Sequence, residues 1–255
     1  MKKLFLIISA MSFCLAGNAQ AYVVDGSVSD WGIDLFAPGA ASVNYLNTHT
    51  PNSPVQFFTE DNASNATPGN VFVGPGWSTG NLYDAETIYF DNDATNAYIA
   101  IITGLPQFGA TYPPGDIFLD TGKYQDPSSP TYNPNKYEYG IDIATSKLYS
   151  VDLWENVVFF PEANPWAIGS GTFLADVPFV YSGLQNTHYV LEASLPISYL
   201  NIEDDDPLWL HWTMHCGNDI VNLRATASVT TPEPASAALF ASGLSFAFAR
   251  LRRRR

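Results

Sequence analysis

Between Tyr22 and Thr230, apolar and polar residues alternate with a period of two, and turn residues break the pattern every ten or so positions. Side chains two apart share one face of a strand, so this pattern suits one side of a sheet and not one side of a helix. Leu208 to His215 shows it best. Leu210, Trp212 and Met214 fall on one face, and His211, Thr213 and His215 on the other. No long amphipathic helical stretch competes with it, and the helix formers Lys, Arg and Gln are scarce. Thr87–Phe90 and Tyr98–Thr103 read as a hairpin joined by the polar turn Asp91-Asn92-Asp93-Ala94-Thr95-Asn96. Asp116–Asp120, Tyr137–Ile143, Lys147–Asp152, Tyr189–Leu195 and Ile220–Val229 read as further strands. Their number and spacing predict an all-β fold, a two-sheet antiparallel β-sandwich of jelly-roll-like character. Residues 38–81 and 121–136, rich in Pro, Gly, Asn and Thr, are expected to be loops.

The two ends of the chain follow other rules. Lys2 and Lys3 precede an apolar run from Leu4 to Gly17 and the small-residue site Ala19-Gln20-Ala21. This is the layout of a secretory signal helix, cut by signal peptidase to leave Tyr22 first. Cys14 leaves with it, so Cys216 has no intramolecular disulfide partner in the mature chain. At the other end, Pro232-Glu233-Pro234 stops any helix running in from upstream. An uncharged run from Ala235 to Ala249 and an arginine cluster at 250–255 follow. As a single hydrophobic helix the run spans about 22 Å at ~1.5 Å per residue, short of the ~30 Å hydrocarbon core. Leu251 and snorkelling arginines narrow the gap. The arginines stay cytoplasmic, which places the body on the far side of the membrane. The expected organisation is a signal peptide at 1–21, a β-sandwich at 22–225, a linker at 226–234, and a transmembrane helix with its basic tail at 235–255.

This three-part tail resembles the PEP-CTERM sorting signal of Gram-negative bacteria. The resemblance implies recognition by an exosortase and cleavage near Pro232-Glu233-Pro234. It also implies passage from the inner membrane to the cell surface or a polysaccharide-rich extracellular matrix. The body carries a second likeness. Val24-Asp25-Gly26-x-x-x-Asp30-Trp31 resembles the opening motif of carbohydrate-binding module family 9 and the related DOMON-like domains. Asp84-x-Glu86 through Tyr98-Ile99-Ala100 resembles the hairpin that follows in them. Tyr189-Val190-Leu191-Glu192 and His211-Trp212-Thr213-Met214-x-Cys216-Gly217-Asn218-Asp219 continue it. Secreted PEP-CTERM proteins share the Cys-Gly-Asn-Asp ending. The resemblance implies an eleven-strand-like sandwich, sometimes with calcium, and a sugar site.

Charge narrows the partners. Between residues 22 and 230 the basic residues are Lys123, Lys136, Lys147 and Arg224, against 24 acidic ones, a net charge of −20. Such a surface repels nucleic acid and anionic lipid and attracts cations. Asp91, Asn92 and Asp93, with Asp84 and Glu86 on the preceding strand, are candidate calcium ligands, because calcium takes six to eight hard oxygens. The alternative is a solvated turn whose Asp and Asn bond their own backbone. Glu203-Asp204-Asp205-Asp206 reads as a solvated run. His211 and His215 would stand ~13 Å apart along a strand, too far to share one ion.

Sugar sites offer aromatic faces to C–H surfaces, with polar groups at the rim. Trp77, Trp154 and Trp166 are the candidates, whereas Trp31 and Trp212 are expected in the core. No Gly-x-Ser-x-Gly, His-Glu-x-x-His or phosphate loop is present. The expectation is a secreted, non-catalytic protein that binds extracellular polysaccharide or belongs to the matrix. The alternatives are an adhesive or structural surface protein without a small ligand and, further off, a glycoside hydrolase.

Overall fold

The computed structural model describes residues 22–42, 45–60, 82–121 and 137–229. Both terminal helices expected from the sequence, with Pro232, Glu233 and Pro234, lie outside these residues. So does Trp77.

The described chain is all-β, with short 3-10 turns at Leu46–Thr48, Pro161–Ala163 and Ile197–Tyr199 as its only helices. Eleven strands form two antiparallel sheets. The first sheet holds β1 (Gln56–Thr59), β2 (Ala85–Asn92), β3 (Asn96–Thr103), β9 (Tyr189–Pro196) and β8 (Phe179–Tyr181), in that order. The second runs β11 (Ile220–Thr226), β10 (Pro207–Thr213), β4 (Ile117–Asp120), β5 (Tyr139–Asp142), β6 (Lys147–Glu155) and β7 (Ala167–Asp176). Their facing sides enclose one core, with Ile88, Ile99 and Leu191 from the first sheet and Leu119, Trp212 and Val221 from the second. Period-two alternation supplies these residues, one from every second position.

The far face of the first sheet is also covered. Tyr89, Ala100, Ile102 and Val190 point away from the main core and pack under Trp31, Ile33, Leu35 and Leu46. Among its described residues the covering layer, from Tyr22 to Val55, contains no β-strand. Polar groups fasten it down. Glu192 accepts bonds from the Trp31 indole (2.9 Å) and from the backbone N–H of Gly26 (2.6 Å) and Asp25 (3.1 Å). The imidazole of His188 bridges Glu86 (2.5 Å) and the Ala40 carbonyl (2.7 Å).

Several boundaries differ from the sequence expectation. The hairpin turn is tighter: Asp91, Asn92 and Asn96 belong to strands, and only residues 93–95 turn. β10 ends at Thr213, because Met214 makes only an isolated bridge to Pro114 and His215 enters a turn. The fold also runs into the expected linker. Ala227 is fully buried. Two side-chain amides stand in for a neighbouring strand. Gln56 bonds both N–H and C=O of Thr226 (2.8 Å each), and Asn92 does the same for Ser228 (2.9 and 2.8 Å).

Candidate functional site

Three connections meet at one end of the sandwich: residues 104–116 between β3 and β4, 156–166 between β6 and β7, and 214–219 between β10 and β11. Backbone bonds lock them together. His215 donates to the Pro113 carbonyl (3.0 Å), and Val158 and Phe159 donate to the carbonyls of His215 (2.9 Å) and Cys216 (3.3 Å). Asp116 N–H bonds Trp166 O (2.8 Å), and Gly115 N–H bonds Thr213 O (3.0 Å). Gly115 is required there, since a Cβ would stand 2.6 Å from the Thr213 carbonyl oxygen. The 156–166 loop closes through the Asn164 side chain, which accepts the Val157 N–H at 2.7 Å.

This frame gathers aromatic rings. Trp166 lies 4.1 Å from the His215 ring at 35°. Tyr112 meets His215 at 6.1 Å and Phe159 edge-on at 5.5 Å. Trp166, His215 and Tyr112 are half-buried, and Phe159 is 54% exposed. The rings therefore form a semi-exposed aromatic rim, with Trp166 packed on Val157, Ala163 and Ile220 and Tyr112 against the main core. Of its members, sequence reasoning named Trp166. Tyr112 and Phe159 come from loops whose convergence depends on strand order, which the local pattern does not carry.

Trp154 joins a different cluster, on the outer face of the second sheet. Its ring stands edge-on to Phe118 (4.5 Å, 89°) and 6.2 Å from Tyr137. Both of those rings stack on His211, at 5.5 and 5.3 Å. His211 Nδ1 faces Asn222 Oδ1 (2.7 Å) and Nε2 faces the Pro165 carbonyl (2.9 Å). Burial holds its pKa low. His211 and His215 thus belong to separate aromatic groups. Cys216 is 4% exposed, and burial pushes its thiol up to about 11, so it packs as a small apolar residue.

The candidate calcium ligands take separate partners. Asp91 accepts the Tyr22 hydroxyl (2.6 Å), and Asn92 holds Ser228. Asp93 Oδ1 accepts Thr95 N–H (2.7 Å), Thr95 Oγ1 (2.7 Å) and Asn96 N–H (2.8 Å), while Oδ2 accepts the Tyr98 hydroxyl (2.8 Å). Burial pushes the Asp93 carboxyl up, but these bonds outweigh it and hold the group below its ordinary value. Glu86 sits at the register shift between Ala85 and Thr87 and pairs with His188. Asp84 lies beside buried Asp219, which accepts the N–H groups of Ala85 (2.8 Å) and Ile220 (2.9 Å). Among the described residues, no three His, Cys, Asp or Glu side chains are grouped to hold a metal. The hairpin arrangement is that of a self-capped Asx turn. Asp93→Ala is therefore expected to cost about 2 kcal/mol, by the same amount in EDTA and in excess calcium. A calcium-dependent melting midpoint, lost in the variant, would instead place an ion there.

Among the described residues, no helix is long and apolar enough to cross a membrane. No protein-family model matches the chain, and neither characterised proteins nor solved structures give a match.

Proposed function

We propose that this is a secreted, non-catalytic β-sandwich protein, sorted to the cell surface, whose aromatic rim binds carbohydrate of the extracellular matrix. The observation that carries the proposal is the convergence of Trp166, His215, Tyr112 and Phe159 on one rim. Half-exposed rings leave apolar surface for sugar C–H groups, and a rigid loop frame keeps the ordering cost low. The net charge of −20 between residues 22 and 230 favours a neutral or cationic glycan over a uronate polymer. The two terminal segments support export: signal peptidase acts at Ala21, and an exosortase acts near Pro232-Glu233-Pro234 while the apolar helix holds the chain in the inner membrane.

The test is a glycan array with the 22–229 unit, followed by titration of each hit. Trp166→Ala is expected to weaken binding at least about tenfold, equivalent to ~1.4 kcal/mol, with the melting curve retained. Absence of binding to every glycan, including the organism's own exopolysaccharide, would refute it. An adhesive surface protein is the second reading. Phe36 and Phe108, 70% and 80% exposed, favour it.

A further inference from the structure

Chain ends usually fray unless something ties them down. Tyr22, the residue that a cut after Ala21 leaves first, is tied down three times. Its ring is 7% exposed and stacks on Trp31 at 4.0 Å. It also meets Tyr98 at 5.3 Å, and its hydroxyl donates to Asp91 at 2.6 Å. The next residue, Val23, donates its N–H to half-buried Asp30 at 2.9 Å. The covering layer is thus anchored from its first residue, beside a carboxylate.

Charge makes this position unusual. From Tyr22 to Gly122 the chain holds eleven acidic residues and neither lysine nor arginine. Among the described residues the lysine and arginine are Lys147 and Arg224. Both belong to the second sheet, over Phe173 (5.7 Å) and Trp209 (5.2 Å). Asp30 instead stands among acidic groups. Burial chiefly, with the Asp30 charge adding to it, raises both the Tyr22 phenol and the Glu192 carboxyl.

We infer that removal of the signal supplies a cation at this point: the α-ammonium created on Tyr22 pairs with Asp30 and latches the covering layer over the first sheet. Hydrolysis of the Ala21–Tyr22 bond divides the elements of water into a carboxylate on Ala21, which leaves with the signal, and an ammonium on Tyr22, which stays. Successive backbone nitrogens lie within ~4 Å of each other, so the ammonium arises within about 7 Å of the Asp30 oxygen that holds Val23. An uncut chain has an uncharged amide there instead. Full stability of the layer is thereby tied to export. The inference rests on the cut after Ala21, and on neither carbohydrate nor calcium binding.

Mass spectrometry of the exported full-length chain reads its first residue, and Tyr22 is expected. Residues 22–229 form a compact body with its own core, so two versions of this unit can be melted. One starts at Tyr22. The other retains Ala19-Gln20-Ala21 and carries its ammonium about 10 Å further along the chain. The Tyr22 start is expected to melt about 1–4 °C higher. Asp30→Asn should close that gap, because asparagine still accepts the Val23 N–H but carries no charge. About 1 M salt should shrink it by screening, with no variant needed. Equal midpoints for the two starts, a gap retained in folded Asp30→Asn or, should that variant not fold, a gap retained in salt would each overturn the latch alone. An exported chain that starts elsewhere would overturn the cut itself, and the latch with it.

Discussion

Replacing Trp31 with alanine is expected to lower the unfolding free energy by about 3–5 kcal/mol, and the melting midpoint by on the order of 10 °C. Trp31 is 1% exposed and stacks on Tyr22 at 4.0 Å and 26°. Its indole N–H is one of three donors on Glu192. Alanine would remove the largest side chain of the covering layer, leave a cavity over Tyr89, and strip Glu192 of its only side-chain donor. Tyr22 would lose its stacking partner and keep its tilted contact with Tyr98 (5.3 Å) and its hydroxyl bond to Asp91. Trp31→Phe separates these losses. It restores most of the packing but not the bond, so about 1–3 kcal/mol of the cost should remain. Denaturant unfolding measures both variants. Limited proteolysis should show residues 22–55 cut first in the alanine variant, because that layer is the one released. A Trp31→Ala chain that unfolds at the wild-type midpoint would mean the covering layer adds little to the fold.

The covering layer also marks where sequence reasoning stopped. Strands with one face on the core were legible: β4, β9 and β10 lie within a residue or two of their expected positions, and Trp212 is in the core at full burial. β7 was not legible, because an edge strand with both faces partly wet shows no alternation, and its two glycines read as turn residues. β1 was hidden in a Pro- and Asn-rich stretch. The larger gap is Glu192. Alternation along Tyr189–Leu195 sends its side chain away from the core, which ordinarily means into water. Here that face lies under residues 22–55, so a position that reads as solvent-facing is 1% exposed. The candidate site was half legible for a similar reason. Trp166 could be named from its Pro-rich loop, whereas its neighbours His215, Tyr112 and Phe159 are set by which loops share one end of the sandwich.

Acidification is expected to strengthen this fold over a range where many proteins are indifferent or begin to weaken. Burial pushes the Asp116 carboxyl up to about 7, against the bonds it accepts from Ile168 (2.8 Å) and Ile143 (3.1 Å) N–H. Burial likewise pushes Glu192 up to about 7, against its three donors. Burial and nearby Glu60 also raise Asp219 well above the ordinary range. In the unfolded chain these groups titrate near ~4. Between about pH 4 and pH 7 the native state therefore holds protons that the unfolded state has lost, and stability must fall as pH rises through that window. Each group contributes a slope of up to about 1.4 kcal/mol per pH unit, and the share of Asp116 and Glu192 flattens above pH ~7, where both of them are ionised in either state. Relief of repulsion within the acidic body acts in the same direction. Asp93 has the opposite sign: its depressed carboxyl stabilises the fold above about pH 4 and loses that contribution below it. The maximum should lie near pH 4–5. Urea unfolding of the 22–229 unit at about pH 5, 6, 7 and 8 measures the slope. Asp116→Asn lowers stability at about pH 5, because one backbone N–H loses its acceptor, and it must flatten the slope by Asp116's share, so the loss shrinks as pH rises. A free energy that stays level or rises between pH ~5 and ~7 would show that the donors on Asp116 and Glu192 win over burial and keep both ionised.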